Sequence, residues 1–210
     1  MNAQEAWKMP YFVRGTSIEP RYCPNVEWQE KLNPDVFRTI LYPMEERIDP
    51  KIWNRTAVLK SSHKRLPDFF VVDACQIVGD SFRGIVENLE PNVHQFIEVS
   101  IVDKRGAHRQ GPFYLFMLLR EIDSIIPEES NISIRRRFVD GREYLTYIAR
   151  GDPDFTLNPS IVGRSHIWRE KMWSTGWFMS NAVAERLRSL NLTEKRSGLE
   201  PLREAVYNKV

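Results

Sequence analysis

The sequence predicts an α+β fold, a largely antiparallel sheet with two or three packing helices. Three observations carry that prediction. Over residues 96–102 the apolar Ile97, Val99 and Ile101 alternate with Glu98 and Ser100, the period of two of a half-buried strand. Asp140-Gly141 stands between two β-prone runs, Ile132–Val139 and Arg142–Ala149. This is a hairpin signal, because the tight turn needs positive φ at both positions. Helical periodicity is confined to short stretches, and the five to seven strand candidates are mostly neighbours in sequence, unlike the alternation of a doubly wound sheet.

In chain order, residues 1–65 form an irregular segment expected to pack on a main domain over 66–210. Seven of the chain's thirteen prolines stand at positions 10, 20, 24, 34, 43, 50 and 67. Each fixes its own φ and biases its predecessor away from helix. Trp7, Tyr11, Phe12, Tyr22, Trp28, Phe37, Tyr42 and Trp53 supply too many aromatics for a solvated tail. Short strands are expected at 9–13 and 39–42, and a turn or helix start at Asn33-Pro34-Asp35. His63-Lys64-Arg65 reads as a solvated basic loop.

Phe69–Val72 is an apolar strand candidate. After a polar break at Gly79-Asp80, Phe82, Ile85, Val86 and Leu89 fall on one helical face, closed by Glu90-Pro91-Asn92. The strand at 96–102 follows. The run 113–119, FYLFMLL, reads as a central strand covered on both faces, although periodicity alone does not separate it from a helix. Beyond the hairpin, 151–154 is a turn and 155–168 holds one more strand. A strand-like run then ends at Ser180-Asn181, and either residue can cap the helix that places Val183, Leu187 and Leu190 at i, i+4 and i+7. The spacing echoes that of Phe82, Val86 and Leu89, a weak hint of duplication. Leu199, Leu202 and Val206 suggest a last short helix or packed segment.

The composition bounds the function. The chain has 210 residues, 42% of them hydrophobic and 28% charged, which suits a core-bearing soluble protein. Thirty Lys and Arg against 28 Asp and Glu leave a net charge of +2, too little to steer a polyanion, so no nucleic acid is expected. No apolar run approaches the ~18 residues of a membrane span. The N-terminal stretch lacks an apolar h-region, so no secretory signal is expected. Cys23 and Cys75 read as two reduced thiols, and the cytoplasm is the expected location.

The chemistry-bearing motifs are sparse. His63, His94, His108 and His166 are far apart, without metal-ligand spacing, so neither a metal site nor a cofactor is expected. Asp152 and Asp154 flank Pro153, a pattern that caps a turn more often than it does acid–base work. Arg135-Arg136-Arg137 is the densest charge run. On a strand its members face alternate ways, so Arg135 and Arg137 share one face. Arg164, His166, Trp168 and Arg169 form a second cluster of the residue types that interfaces favour, although core packing is the plain reading of Trp168.

Four stretches together resemble a bacterial family: LPDFFVVDACQIVGDSFRGIVENL, FIEVSIV, GPFYLFMLLREIDSI, and HIWREK with WFMSNAVAERLRSLNLT. From residue 66 onwards the chain is similar to the immunity proteins of polymorphic toxin systems, immunity family eleven. The features of that resemblance fall on Leu66-Pro67-Asp68-Phe69, on residues 113–123 and on residues 177–190, about two thirds of the chain. It implies a protein that binds and neutralises a cognate toxin delivered between bacterial cells, without catalysis. A nuclease toxin would favour an acidic inhibitor, which the charge of +2 does not suggest. Partner contact is expected at Arg135, Arg137, Arg164, His166, Trp168 and Arg169. The rival reading is an enzyme or small-ligand binder with a cleft near Asp152, Asp154 and His166. A third is a structural module of a larger secretion assembly. The sequence leaves the oligomeric state open, a homodimer included.

Overall fold

The computed structural model describes residues 10–13, 24–31, 47–53, 56–61, 65–108, 111–139, 141–151, 154–173, 176–192, 203–204 and 206–207. The expectations at 33–35, 39–42, Cys23, His63, Lys64, Asp140, Asp152 and the tail at 194–202 lie outside these residues. The chain divides into two compact units. The first holds Met1–Gly15, Arg120–Glu185 and Leu202–Val210. The second holds Thr16–Leu119 and Arg186–Pro201. The sequence boundary at 65/66 falls inside the second unit.

Strand β1 (Tyr11–Val13) opens the first unit, within the stretch expected for it. The second unit follows, with β2 (Val26–Trp28), β3 (Thr56–Leu59), β4 (Phe69–Val72), β5 (Cys75–Gly79), helix α1 (Asp80–Leu89), β6 (Gln95–Asp103) and β7 (Phe113–Met117). Its six strands pair in the order β2-β3-β6-β7-β5-β4. Only β3 and β6 run parallel. β7 lies between β5 and β6 with all five residues buried, the central strand that its unbroken apolar run demands. On β6, Ile97, Val99 and Ile101 are buried and Glu98 is exposed, as the alternation requires.

The core of this unit gathers Trp28, Trp53, Phe70, Ile77, Val99 and Leu115. The two indoles meet edge to face at 5.2 Å. β4 and β5 are joined by Asp73-Ala74, at φ 48° and 64°, a two-residue turn without the glycine or asparagine that usually marks one. α1 buries Phe82, Ile85 and Val86. It ends where the Glu90 N–H donates to the Val86 carbonyl and Asn92 takes φ 61°. Beyond it, His94 is held in one tautomer: Nδ1 accepts from the Leu119 N–H at 3.3 Å, so Nε2 faces Glu90 Oε2 at 2.9 Å as the donor.

The rest of the first unit comprises β8 (Glu121–Ile122), β9 (Ile132–Val139), β10 (Arg142–Ala149), β11 (Thr156–Leu157), one helical turn α2 (Pro159–Val162), β12 (Ile167–Glu170), β13 (Trp177–Met179), the first half of helix α3 (Asn181–Ser189), which from Arg186 on is counted with the second unit, and β14 (Arg203–Glu204) and β15 (Val206–Tyr207). One sheet runs β14-β1-β13-β12-β8; β9 pairs with β10, and β11 with β15. The core of this unit holds Phe155, Leu157, Trp168 and Phe178. Trp168 and Phe178 stack with centroids 5.7 Å apart.

The α+β, mostly antiparallel architecture is as predicted, with corrections in detail. There are more strands than the expected five to seven, because several have only two residues and carry no readable period. Residues 155–168 contain β11, the turn α2 and the start of β12 rather than one strand. Of the two alternatives for the tail, Val206 lies in a paired strand rather than a helix. Ser180 does cap α3, its Oγ accepting from the Val183 N–H at 3.4 Å. Val183 and Leu187 are buried, but Leu190 is 51% exposed. The helix stops at Ser189. Asn191 takes φ 56°, Leu192 N–H donates to the Leu187 carbonyl and Asn191 N–H to the Arg188 carbonyl. This Schellman ending turns Leu192 inward in place of Leu190.

Candidate functional site

The β9–β10 hairpin carries the densest set of exposed apolar and basic side chains among the described residues. Eight cross-strand pairs set its register, from Ile132↔Ala149 to Val139↔Arg142. Gly141 sits at the turn with φ 74°, the positive value expected there. Directly paired residues share a face. One face therefore carries Ile132/Ala149, Ile134/Tyr147, Arg136/Leu145 and Phe138/Glu143. The other carries Ser133/Ile148, Arg135/Thr146 and Arg137/Tyr144.

The base of the hairpin is built into the first unit. Ile132 and Tyr147 are buried with Phe155 and Trp173 in its core. The Tyr147 N–H donates to the Met172 carbonyl at 2.7 Å, and Thr146 Oγ1 donates to the same oxygen at 3.2 Å. Burial, with Asp123, Glu170 and Glu128 nearby, pushes the Tyr147 phenol up to about 12. The outer half is uncovered. Ile134 is 54% exposed, Phe138 71%, Tyr144 49% and Leu145 48%. Arg135, Arg136 and Arg137 are exposed too. Arg136 pairs with Glu143 at 3.4 Å on the apolar face.

The same unit holds a buried carboxylate that the sequence did not advertise. Glu170 is buried and accepts four hydrogen bonds: Ser124 N–H at 2.7 Å, Ser124 Oγ–H at 2.5 Å, Ile125 N–H at 3.3 Å and Trp168 Nε1–H at 2.8 Å. Burial raises its pKa against the pull of these donors. With all four donors satisfied, the group holds the chain after β8 against β12. Its only sequence signal was a lone Glu in an aromatic run.

The sequence-predicted partner residues are placed unevenly. Arg135 and Arg137 are exposed on one face of the hairpin, and Arg164 is exposed after α2. His166 is half-buried, its Nδ1 2.8 Å from Ser180 Oγ. Trp168 is fully buried, stacked on Phe178 and bonded to Glu170. That is the core packing that was its plain reading, and it leaves the indole no exposed surface. Arg169 keeps only 19% of its side chain exposed and lies 4.0 Å from Glu121. Burial lowers its pKa, and Glu121 opposes the shift. Sequence reasoning found the arginines of the hairpin but missed Ile134, Phe138 and Leu145. Their place in two β-prone runs was legible; whether core or solvent lay against them was not.

A cavity of ≈ 690 Å³ opens in the second unit, lined by Arg65, Asp68, Asp80, Ser81, His108 and Phe113 among others. Asp68 is half-buried. Desolvation raises its pKa, against the nearby Arg65. Asp154 and His166 do not line this cavity, so it is not the cleft of the rival reading. Among the described residues no group of three or more His, Cys, Asp or Glu could hold a metal ion, and no helix is long and apolar enough to cross a membrane.

Phe138 and Ile134, the two most exposed large apolar side chains among the described residues of this α+β protein, thus share a hairpin with three exposed arginines. The chain matches the model of the Immunity protein family (Imm11) over residues 28–204, and it belongs to that family. Immunity proteins as a class protect against toxins. No curated protein matches the chain.

Proposed function

We propose that this protein binds and neutralises a cognate bacterial toxin, as a non-catalytic immunity protein of the cytoplasm. Family membership supports the reading, and the observation that carries it is the outer half of the β9–β10 hairpin, with Phe138 71% exposed beside three exposed arginines. Exposed aromatic and arginine side chains on a rigid base are the usual anchors of protein interfaces. Arg135, Arg137 and Arg164 are the contact residues that fit this reading among those expected from sequence. The interface should reach the ~1,200–2,000 Å² of a stable complex. The test is protection. Cells expressing the toxin should grow when this chain is co-expressed and die without it. Unchanged killing in the presence of soluble protein would refute the reading.

A further inference from the structure

We propose that the apolar face of the outer β9–β10 hairpin is the anchor of the toxin complex, and that the toxin receives it in an apolar cleft rimmed by carboxylates. The inference rests on the immunity reading above and adds which face binds and what chemistry meets it. The face is continuous. Ile132 and Tyr147 bury its inner end in the core, and Ile134, Leu145 and Phe138 carry the same stripe outward into solvent. In the register, Leu145 lies opposite Arg136 and Phe138 opposite Glu143, and Arg136 and Glu143 neutralise each other at 3.4 Å. The apolar face is thus nearly neutral. The opposite face is basic, with Arg135 and Arg137 exposed and Tyr144 paired to Arg137. Among the described residues no carboxylate is within ion-pair distance of either arginine.

Magnitudes decide between occupants. The three apolar side chains expose on the order of 300 Å², already the size of the largest patch on many monomers. A second copy docking through the same face would bury only about twice that, well short of the ~1,200 Å² of a stable interface. A partner that takes Phe138 into a cleft and covers both faces of the hairpin has no such deficit. Carboxylates around the cleft would meet Arg135 and Arg137, which would speed association and fix orientation.

The experiment uses the intact protein and the toxic domain that wild-type protein captures in its own bacterium, purified as the probe. Binding is followed by surface-immobilised kinetics. Phe138→Asp should weaken binding at least ~30-fold, mostly through faster dissociation, as for a central anchor. Arg135→Glu with Arg137→Glu should slow association ~10-fold and flatten its salt dependence. Leu190→Asp, at an exposed apolar site just past the end of α3, should bind as wild type and serves as the control. Unchanged thermal midpoints exclude misfolding, and Leu145→Asp gives a second reading of the same face. If the probe binds wild type but Phe138→Asp and Leu145→Asp bind within twofold, this inference falls and the immunity reading stands. If no toxic protein is captured, both fall. If wild type elutes as a dimer that Phe138→Asp makes monomeric, the face belongs to a second copy and the inference is overturned.

Discussion

Replacing Glu170 with alanine removes the acceptor of four hydrogen bonds in one step. The Ser124 hydroxyl can turn to another acceptor. The Ser124 and Ile125 amides and the Trp168 indole N–H cannot, and each buried orphan donor costs about 1–3 kcal/mol. Water entering the vacated space would satisfy some of them. The net loss expected is therefore about 3 kcal/mol, near the lower end of that sum. Urea unfolding followed by tryptophan fluorescence should show it, and hydrogen exchange at Ser124 and Ile125 should accelerate with it. The carboxyl also carries a pH signature. Burial raises its pKa in the folded chain, so the folded state holds the proton more tightly than the unfolded one. Its contribution is then fully present below the unfolded value and is lost as pH rises through the folded one. Glu170→Ala should remove that downward slope. A loss under about 1 kcal/mol, with unchanged exchange at the two amides, would show that the network does not hold this segment.

Three further outcomes are expected. Ala74→Gly should stabilise the second unit by about 0.5–1 kcal/mol in chemical denaturation, because Ala74 occupies φ 64° in the β4–β5 turn and glycine takes that region without strain; a loss of stability would contradict the turn. Ser180→Ala should cost about 1 kcal/mol, since Ser180 caps α3 and also meets His166, and a Thr replacement should restore most of it. Tyr147→Phe should delete a tyrosinate transition near pH 12 from the ultraviolet titration. Because the folded phenol is raised, stability is lost as pH climbs from about 10 through about 12, and the variant should be flatter there.

Legibility in the sequence followed the strength of the local period. The alternation over Ile97, Val99 and Ile101, the unbroken run of β7 and the Asp140-Gly141 hairpin are local signals, and each became the element it indicated. The two-residue strands β8, β11, β14 and β15 are too short to carry a period, and tertiary pairing alone defines them. Leu190 fitted the helical stripe but was displaced by the ending at Asn191, whose left-handed residue redirects the chain. At the candidate site the arginines announced themselves by density. Trp168 read most plainly as core, and Phe178 and Glu170 are the neighbours that hold it there. Ile134, Leu145 and Phe138 looked like any strand interior, and only the structure left them uncovered.

The central claim is that this chain neutralises a toxin by direct binding. Tagged protein purified from its own bacterium, with its partners identified and counted by mass spectrometry, tests it most directly. The account predicts one stoichiometric partner, a secreted protein with a toxic C-terminal domain whose killing is abolished by the bound chain. Under conditions in which the bacterium makes its toxins, recovery of the chain with no such partner would contradict it.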